Sequence, residues 1–241
     1  MLIDKQRFAF LCYVLAVHIL CLALILQPEL SKQIGLNLSL YQPKRSEFYY
    51  RSIIPQQRHE KQLPGGAVVL FGDSIIQSWW RESYSWPVAN YGIGGDTSKG
   101  VLDRLSQYDR LSEASVIVIG VGVNDLNRRT VDEVAVFYQQ IIAALPKQAA
   151  LLFLTVLPVS EAYPEYEGYN DRINRLNDLL LALTEACNNC SLVDAGANLV
   201  DQTGNLATEY HSGDGLHLSA KGYEVWGRQV VEGIDRALPS S

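Results

Sequence analysis

The sequence predicts an α/β domain in which a mostly parallel sheet of five strands lies between layers of helices. Short apolar runs rich in β-branched residues alternate with segments whose apolar residues recur every three or four positions, which is the pattern of βαβ units. The runs are apolar on both faces, as expected of parallel strands that helices cover on both sides. We therefore predict strands at 67–71, 87–91, 115–121, 151–157 and 191–194.

Helices are predicted between and after these strands. Two short ones are expected at 75–82 and 98–105, and three longer ones follow. A capping box formed by Thr130 and Glu133 marks the start of the first long helix, and Ser219 is expected to cap the last. The apolar positions of the three long helices, at helical spacing, are Val134, Phe137, Ile141 and Leu145, then Ile173, Leu176, Leu180, Leu183 and Cys187, then Tyr223, Trp226, Val230 and Ile234.

A separate apolar segment precedes this domain. Residues 8–26 carry no formal charge and are long enough to cross a bilayer as a helix. A cleaved signal peptide is the alternative, but its apolar region is usually shorter and is followed by small residues at a cleavage site. We predict an uncleaved membrane anchor, with residues 1–7 in the cytoplasm and the domain on the periplasmic or extracellular side. Residues 27–66 contain four prolines and no sustained period, so they are predicted to be a juxtamembrane linker before a domain at 67–241.

The composition excludes some classes of function. A net charge of -6 without a basic stripe argues against a nucleic-acid partner. Cys187 and Cys190 have the spacing of a local disulfide, and no second ligand pair is suitably spaced for zinc. The glycines between 92 and 95 complete neither a dinucleotide-binding nor a phosphate-binding motif. Neither a metal nor an organic cofactor is predicted.

Polar residues follow three of the predicted strands. Ser74 comes directly after the first strand and, taken alone, is either a helix cap or a nucleophile at the carboxyl edge of the sheet. Gly95 and Asn124 follow the second and third strands at the same edge, where parallel sheets bind ligands. Near the carboxyl terminus, Asp214 precedes His217 by three residues, so its carboxylate can orient the imidazole within one loop. These are the groups that acyl transfer from an ester requires.

With these residues in place, the chain resembles the SGNH hydrolases, also called the GDSL esterase and lipase family. The matching blocks, in the family's order, are Gly72-Asp73-Ser74, Gly94-Gly95-Asp96, Gly122-Val123-Asn124-Asp125 and Asp214-Gly215-Leu216-His217. The stretch 90–105 is particularly similar to the platelet-activating-factor acetylhydrolase branch, which suggests a small acyl group. The resemblance also implies a flavodoxin-like three-layer sandwich.

The resemblance further implies a role for each site residue. Ser74 would be the nucleophile, His217 the general base and Asp214 its orienter. The oxyanion hole would combine the backbone N–H groups of Ser74 and Gly95 with the side-chain amide of Asn124. The aspartates of the first three blocks, at positions 73, 96 and 125, are interpreted as residues that brace the loops.

The sequence thus predicts a membrane-anchored serine esterase that hydrolyses a carboxylic ester. Its substrate is expected to be a short-acyl ester, a lysophospholipid or an O-acetylated glycan. An acyltransferase that uses the same acyl-enzyme with a sugar hydroxyl in place of water is the alternative, and a non-catalytic binding module is the third interpretation. The third is disfavoured because every catalytic role has a candidate residue.

Overall fold

The computed structural model describes residues 13–14, 17–18, 47–79 and 85–239. The chain divides into two compact units, Met1–Ser46 and Glu47–Ser241. The second unit contains all the predicted site residues. Only four residues of the first unit are described, and they are helical.

The second unit is built on a parallel five-stranded sheet, which confirms the predicted α/β fold. The strands are β1 (Val68–Gly72), β2 (Val88–Gly92), β3 (Val116–Gly120), β4 (Ala150–Leu154) and β5 (Cys190–Val193). They lie in the order β2-β1-β3-β4-β5, and every neighbouring pair is parallel. This is the flavodoxin-like order, in which chain reversal on either side of β1 leaves a crevice at the carboxyl ends of the strands.

Helices cover both faces of the sheet. They are α1 (Glu47–Glu60), α2 (Ser74–Gln77), α3 (Ser98–Leu105), α4 (Val131–Ala144), α5 (Tyr169–Glu185) and α6 (Ala220–Ala237). Val69 and Phe71 of β1 point into one apolar core, whereas Val68 and Leu70 point into a second core that includes Trp226 of α6. Because successive side chains of a strand point to opposite faces, a fully buried strand must be apolar throughout, as the sequence is here.

Most predicted helix boundaries are confirmed. The predicted helix at 98–105 coincides with α3, the capping box of Thr130 and Glu133 is formed, and Ser219 caps α6 through the N–H of Gly222. One expectation was wrong in detail. The predicted helix at 75–82 ends at Gln77, and residues 80–84 lie outside the described residues. In α4, Tyr138 is fully buried and its hydroxyl donates to the Val121 carbonyl, whereas Phe137 is half-buried.

Helix α1 lies within the segment 27–66, which the sequence predicts to be a linker. Helix α1 belongs to the same compact unit as the sheet. Tyr49 and Ile53 of α1 pack against Ile93, and the Tyr49 hydroxyl donates to the Gly100 carbonyl at 3.1 Å. Buried Glu60 accepts a hydrogen bond from the N–H of Arg110. These contacts join α1 to the segments that follow β2.

The predicted membrane anchor at 8–26 lies outside the described residues except for Tyr13, Val14, Val17 and His18. Within the described part of the chain, no helix combines the length and the apolar character needed to span a bilayer.

The two cysteines whose pairing the sequence left open, Cys187 and Cys190, form a disulfide at the end of α5.

Candidate active site

Ser74 is the first residue of the short helix α2, directly after β1. The preceding residue, Asp73, caps this helix by accepting the N–H of Ile75 at 3.0 Å. Gly72 makes the turn possible, because a Cβ atom there would lie 2.2 Å from the Gly120 carbonyl oxygen and 2.3 Å from Ile76. Only glycine therefore allows α2 to rest on the ends of β1 and β3. The serine is only partly buried, so a substrate can reach its hydroxyl.

The structure brings Ser74, His217 and Asp214 together. The Ser74 Oγ lies 3.0 Å from His217 Nε2, and His217 Nδ1 lies 2.6 Å from Asp214 Oδ2. The other carboxylate oxygen of Asp214 accepts the N–H groups of Leu216 and His217. Partial burial would raise the pKa of Asp214, but the hydrogen bonds from His217 and from these two N–H groups outweigh it and lower the pKa to about 2.

This arrangement fixes the direction of the hydrogen bonds. Because an ionised Asp214 can only accept, His217 must carry its proton on Nδ1 and present an unprotonated Nε2 to Ser74. The Ser74 hydroxyl then donates to Nε2. A serine whose proton already points at an imidazole base is the arrangement that activates a hydroxyl for nucleophilic attack.

Gly95 and Asn124 lie in the two loops next to Ser74. Gly95 is exposed in the turn after β2, and Asn124 follows β3. One N–H of the Asn124 side chain donates to the Asp96 carbonyl at 3.0 Å, so Asn124 joins the two loops. A side-chain amide has two N–H groups, and the second remains for a developing oxyanion. The contact with Asp96 accounts for loop bracing and is compatible with an oxyanion role.

The three aspartates interpreted as loop braces are all buried. Asp125 accepts the N–H and the hydroxyl of Ser98, and Asp96 pairs with Arg104 at 2.9 Å. Burial raises the pKa of Asp73 to about 7, its hydrogen bond from Ile75 opposes this, and the nearby carboxylates of Asp96 and Asp125 add to the rise. Burial likewise raises the pKa of Asp125. The three buried aspartates therefore stabilise the loops that carry the site residues.

Two polar residues near the site, Arg104 and His211, were not predicted from the sequence. Arg104 is fully buried on α3, where it pairs with Asp96 and donates towards Tyr108 and the Gly72 carbonyl. Its position among inward-facing residues of an amphipathic helix was the available signal. His211 lacks the carboxylate three residues earlier that marks His217. It is buried, and its Nδ1 accepts hydrogen bonds from the loop that carries Asp214.

A small, mostly apolar cavity of about 30 Å³ lies beside these residues. Its lining includes Ile75, Val123 and Leu216, the chain neighbours of Ser74, Asn124 and His217. Among the described residues, no cluster of histidine, cysteine, aspartate and glutamate side chains could hold a metal ion.

The chain is similar to known proteins in sequence and in fold. The model of the GDSL-like Lipase/Acylhydrolase family matches residues 70–225. Platelet-activating factor acetylhydrolase IB subunit alpha2 of Homo sapiens is 32% identical over 166 residues, which cover 65% of this chain and 70% of that protein. A solved structure from Streptococcus pneumonia aligns with a TM-score of 0.71 at 23% identity, covering 79% of this chain and 93% of the other. The lipase/acylhydrolase from Enterococcus faecalis aligns with a TM-score of 0.60 at 26% identity, covering 73% and 98%.

Proposed function

The chain belongs to the GDSL-like lipase/acylhydrolase family and is an ester hydrolase, and from this premise we propose that Ser74 is its nucleophile, His217 its general base and Asp214 the orienter of that base. The observation that carries the proposal is the continuous chain of hydrogen bonds from Ser74 Oγ through His217 to Asp214. Helix capping alone would not require a basic nitrogen at the serine hydroxyl.

Acylation begins when Ser74 Oγ attacks the ester carbonyl and its proton passes to His217 Nε2. The imidazolium that results is stabilised by the ionised Asp214, whose low pKa keeps it an acceptor throughout. The negative charge that develops on the carbonyl oxygen is stabilised by the N–H groups of Ser74 and Gly95 and by the free N–H of Asn124. His217 then donates its proton to the leaving alcohol as the C–O bond breaks.

Deacylation repeats these steps with water as the nucleophile. His217 takes a proton from the water, the hydroxide attacks the acyl-enzyme, and the proton returns to Ser74 as the carboxylic acid leaves. If a sugar hydroxyl replaced water, the same site would be an acyltransferase. Product analysis with and without an acceptor sugar distinguishes the two outcomes, since only a transferase yields the acylated sugar.

A fluorophosphonate probe tests the assignment, because it reacts covalently with an activated serine. We expect the folded protein to be labelled at Ser74 and the Ser74→Ala variant to remain unlabelled. Ser78→Ala is the matched control, since Ser78 is an exposed serine at the end of the same helix and its loss should leave labelling unchanged. Equal labelling of Ser74→Ala, or no labelling of the folded wild type, would defeat the triad assignment.

For the substrate, we propose an ester with a short acyl group on a lysophospholipid-like or glycan alcohol. Two observations support a short acyl group: the name of the human relative specifies an acetylhydrolase, and the mostly apolar cavity beside the site is small. Hydrolysis of soluble esters of graded acyl length provides the test. We expect kcat/KM to be highest for acyl groups of about two to four carbons. A maximum at about eight or more carbons would contradict the proposal.

We also propose that residues 8–26 anchor the protein in a membrane with the domain outside the cytoplasm. The uncharged length of this segment supports the anchor, and the disulfide between Cys187 and Cys190 supports an oxidising compartment. The full chain should stay with membranes after a carbonate wash. A soluble mature protein that lacks the first ~26 residues would establish a cleaved signal peptide instead.

A further inference from the structure

The loop that carries Asp214 closes around a second histidine. A β-bridge between His211 and Leu218 and a hydrogen bond from the Ser212 N–H to the His217 carbonyl join the two ends of the loop. His211 is 7% exposed. Its Nδ1 accepts the Gly213 N–H at 3.0 Å and the Gly215 N–H at 3.2 Å, and these are the two residues that flank Asp214.

We propose that His211 is a positioning residue for the reaction, which holds the Asp214 carboxylate in line with His217. The inference rests on the proposed function, since it assigns His211 a role through the orienter of the base. His211 does not contact the reacting atoms. It supplies one fixed acceptor to which the backbone on both sides of Asp214 is bonded.

The backbone conformation explains why one nitrogen can accept from both sides. Gly213 and Gly215 have φ angles of 102° and 74°, in the left-handed region that side chains with a Cβ rarely adopt. In this conformation the two N–H groups converge on the same point. A nitrogen that accepts two N–H groups cannot itself be protonated, so His211 must be neutral with its proton on Nε2. The two glycines on either side of Asp214 allow both N–H groups to reach His211 Nδ1, and that nitrogen must be unprotonated to accept them.

Tyr163 holds the same loop from its other side. The Tyr163 hydroxyl donates to the Gly213 carbonyl at 2.6 Å, and its ring meets His211 edge to face with centroids 5.7 Å apart. The Gly215 carbonyl accepts the N–H of Ser160. With these contacts in place, the loop is held on both sides, and the hydrogen bonds to His211 Nδ1 hold the side next to Asp214.

The proposal is tested by replacing His211 with residues that do or do not supply an acceptor. His211→Leu leaves the two N–H groups without a partner, and we expect kcat on a soluble acetyl ester to fall roughly 10- to 100-fold with KM within a few-fold, as for a catalytic group displaced by about 1 Å. His211→Asn places an amide oxygen near the position of Nδ1 and should recover most of the lost kcat. His59→Leu, which removes an exposed imidazole from α1, is the matched control and should match the wild type.

A double-mutant cycle separates positioning from general destabilisation. In an Asp214→Ala background, His211→Leu should cause no further loss of kcat, because the group through which it acts is absent. The proposal fails if His211→Leu retains wild-type kcat, if the asparagine and leucine variants lose equally, or if the loss persists without Asp214. If the leucine variant does not fold, His211→Ala is used with the same expectations. Water can then solvate the two N–H groups, which favours folding, but it does not supply the fixed acceptor. If the wild type is active and is labelled at Ser74 but the His211 variants do not behave as expected, this inference fails and the proposed function stands.

Discussion

Replacing Asp73 by asparagine should change how the stability of the protein depends on pH. Asp73 is 3% exposed and accepts the N–H of Ile75, and an asparagine oxygen can accept the same bond. Burial raises the pKa of this carboxyl in the folded state to about 7, against 3.8 for an ordinary aspartate. The folded state therefore binds the proton more tightly than the unfolded state, and the ionisation of Asp73 opposes folding.

The magnitude follows from the difference between the two pKa values. Below about pH 4 the carboxyl is protonated in both states and ionisation has no cost. Between about pH 4 and 7 the unfolded chain loses the proton first, so the free energy of unfolding falls as the pH rises. Above pH 7 the cost reaches its full value, about 4 kcal/mol for a pKa difference of roughly three units. An asparagine at this position does not ionise and escapes the cost.

Urea unfolding of both proteins across this pH range measures the effect. Between pH 5 and pH 8 the wild type should lose roughly 2–3 kcal/mol of unfolding free energy relative to Asp73→Asn, or roughly 4–12 °C in Tm for a domain of this size. Asp178→Asn controls for the loss of a negative charge, because Asp178 is exposed on α5. If the curves of wild type and Asp73→Asn run parallel from pH 5 to pH 8, the carboxyl is not held in the environment described here.

Three further predictions concern the elements around the site. Asn124→Ala should lower kcat by about 10²–10³ with KM within a few-fold if its free N–H stabilises the oxyanion, whereas an unchanged kcat with a lower Tm would assign it to loop bracing alone. Arg104→Met should destabilise the fold by about 3–5 kcal/mol in urea unfolding, because it removes the buried guanidinium that pairs with the carboxylate of Asp96, and adding Asp96→Asn should recover part of the loss. A chain that begins at Glu47 should match the full-length protein in kcat/KM on a soluble ester, whereas one that begins at Gln57 should lose activity and thermal stability; equal behaviour of the two would show that α1 is dispensable.

The sheet, its helices and the pairing of Asp214 with His217 could be predicted because the signals were local, whereas the pairing of Ser74 with His217, 143 residues away, followed from the family resemblance. A two-sided apolar run, a glycine turn and a carboxylate three residues from an imidazole each fit within a few positions of the chain. What holds these residues in place could not be predicted in the same way. His211 acts on backbone N–H groups that carry no sequence signature. Arg104 pairs with Asp96, eight residues earlier, and its guanidinium also donates to the Gly72 carbonyl at the end of β1, a contact that no local sequence pattern indicates.

Helix α1 shows how tertiary contacts override a local signal. The polar sequence and Pro55 indicate a linker, since a proline inside a helix removes a hydrogen bond and clashes with the preceding turn at a cost of about 3 kcal/mol. The helix forms nevertheless, because burial of Tyr49 and Ile53 offsets this cost. Gln56 accepts a hydrogen bond from the Tyr108 hydroxyl, which in turn accepts from Arg104. None of these partners lies close to α1 in the sequence.

These contacts explain how a partly exposed site keeps its geometry. The side chains of Asp214 and His217 are 46% and 43% exposed, so packing alone cannot hold them. On one side the loop around His211 fixes Asp214 through backbone hydrogen bonds, and on the other the buried pair of Asp96 and Arg104 supports the turn that carries Gly95. Substitutions of the exposed groups should therefore change kcat with little effect on stability, because they lose no buried contact. Substitutions of the buried supports must change both, since the same hydrogen bonds maintain the fold and align the reacting groups.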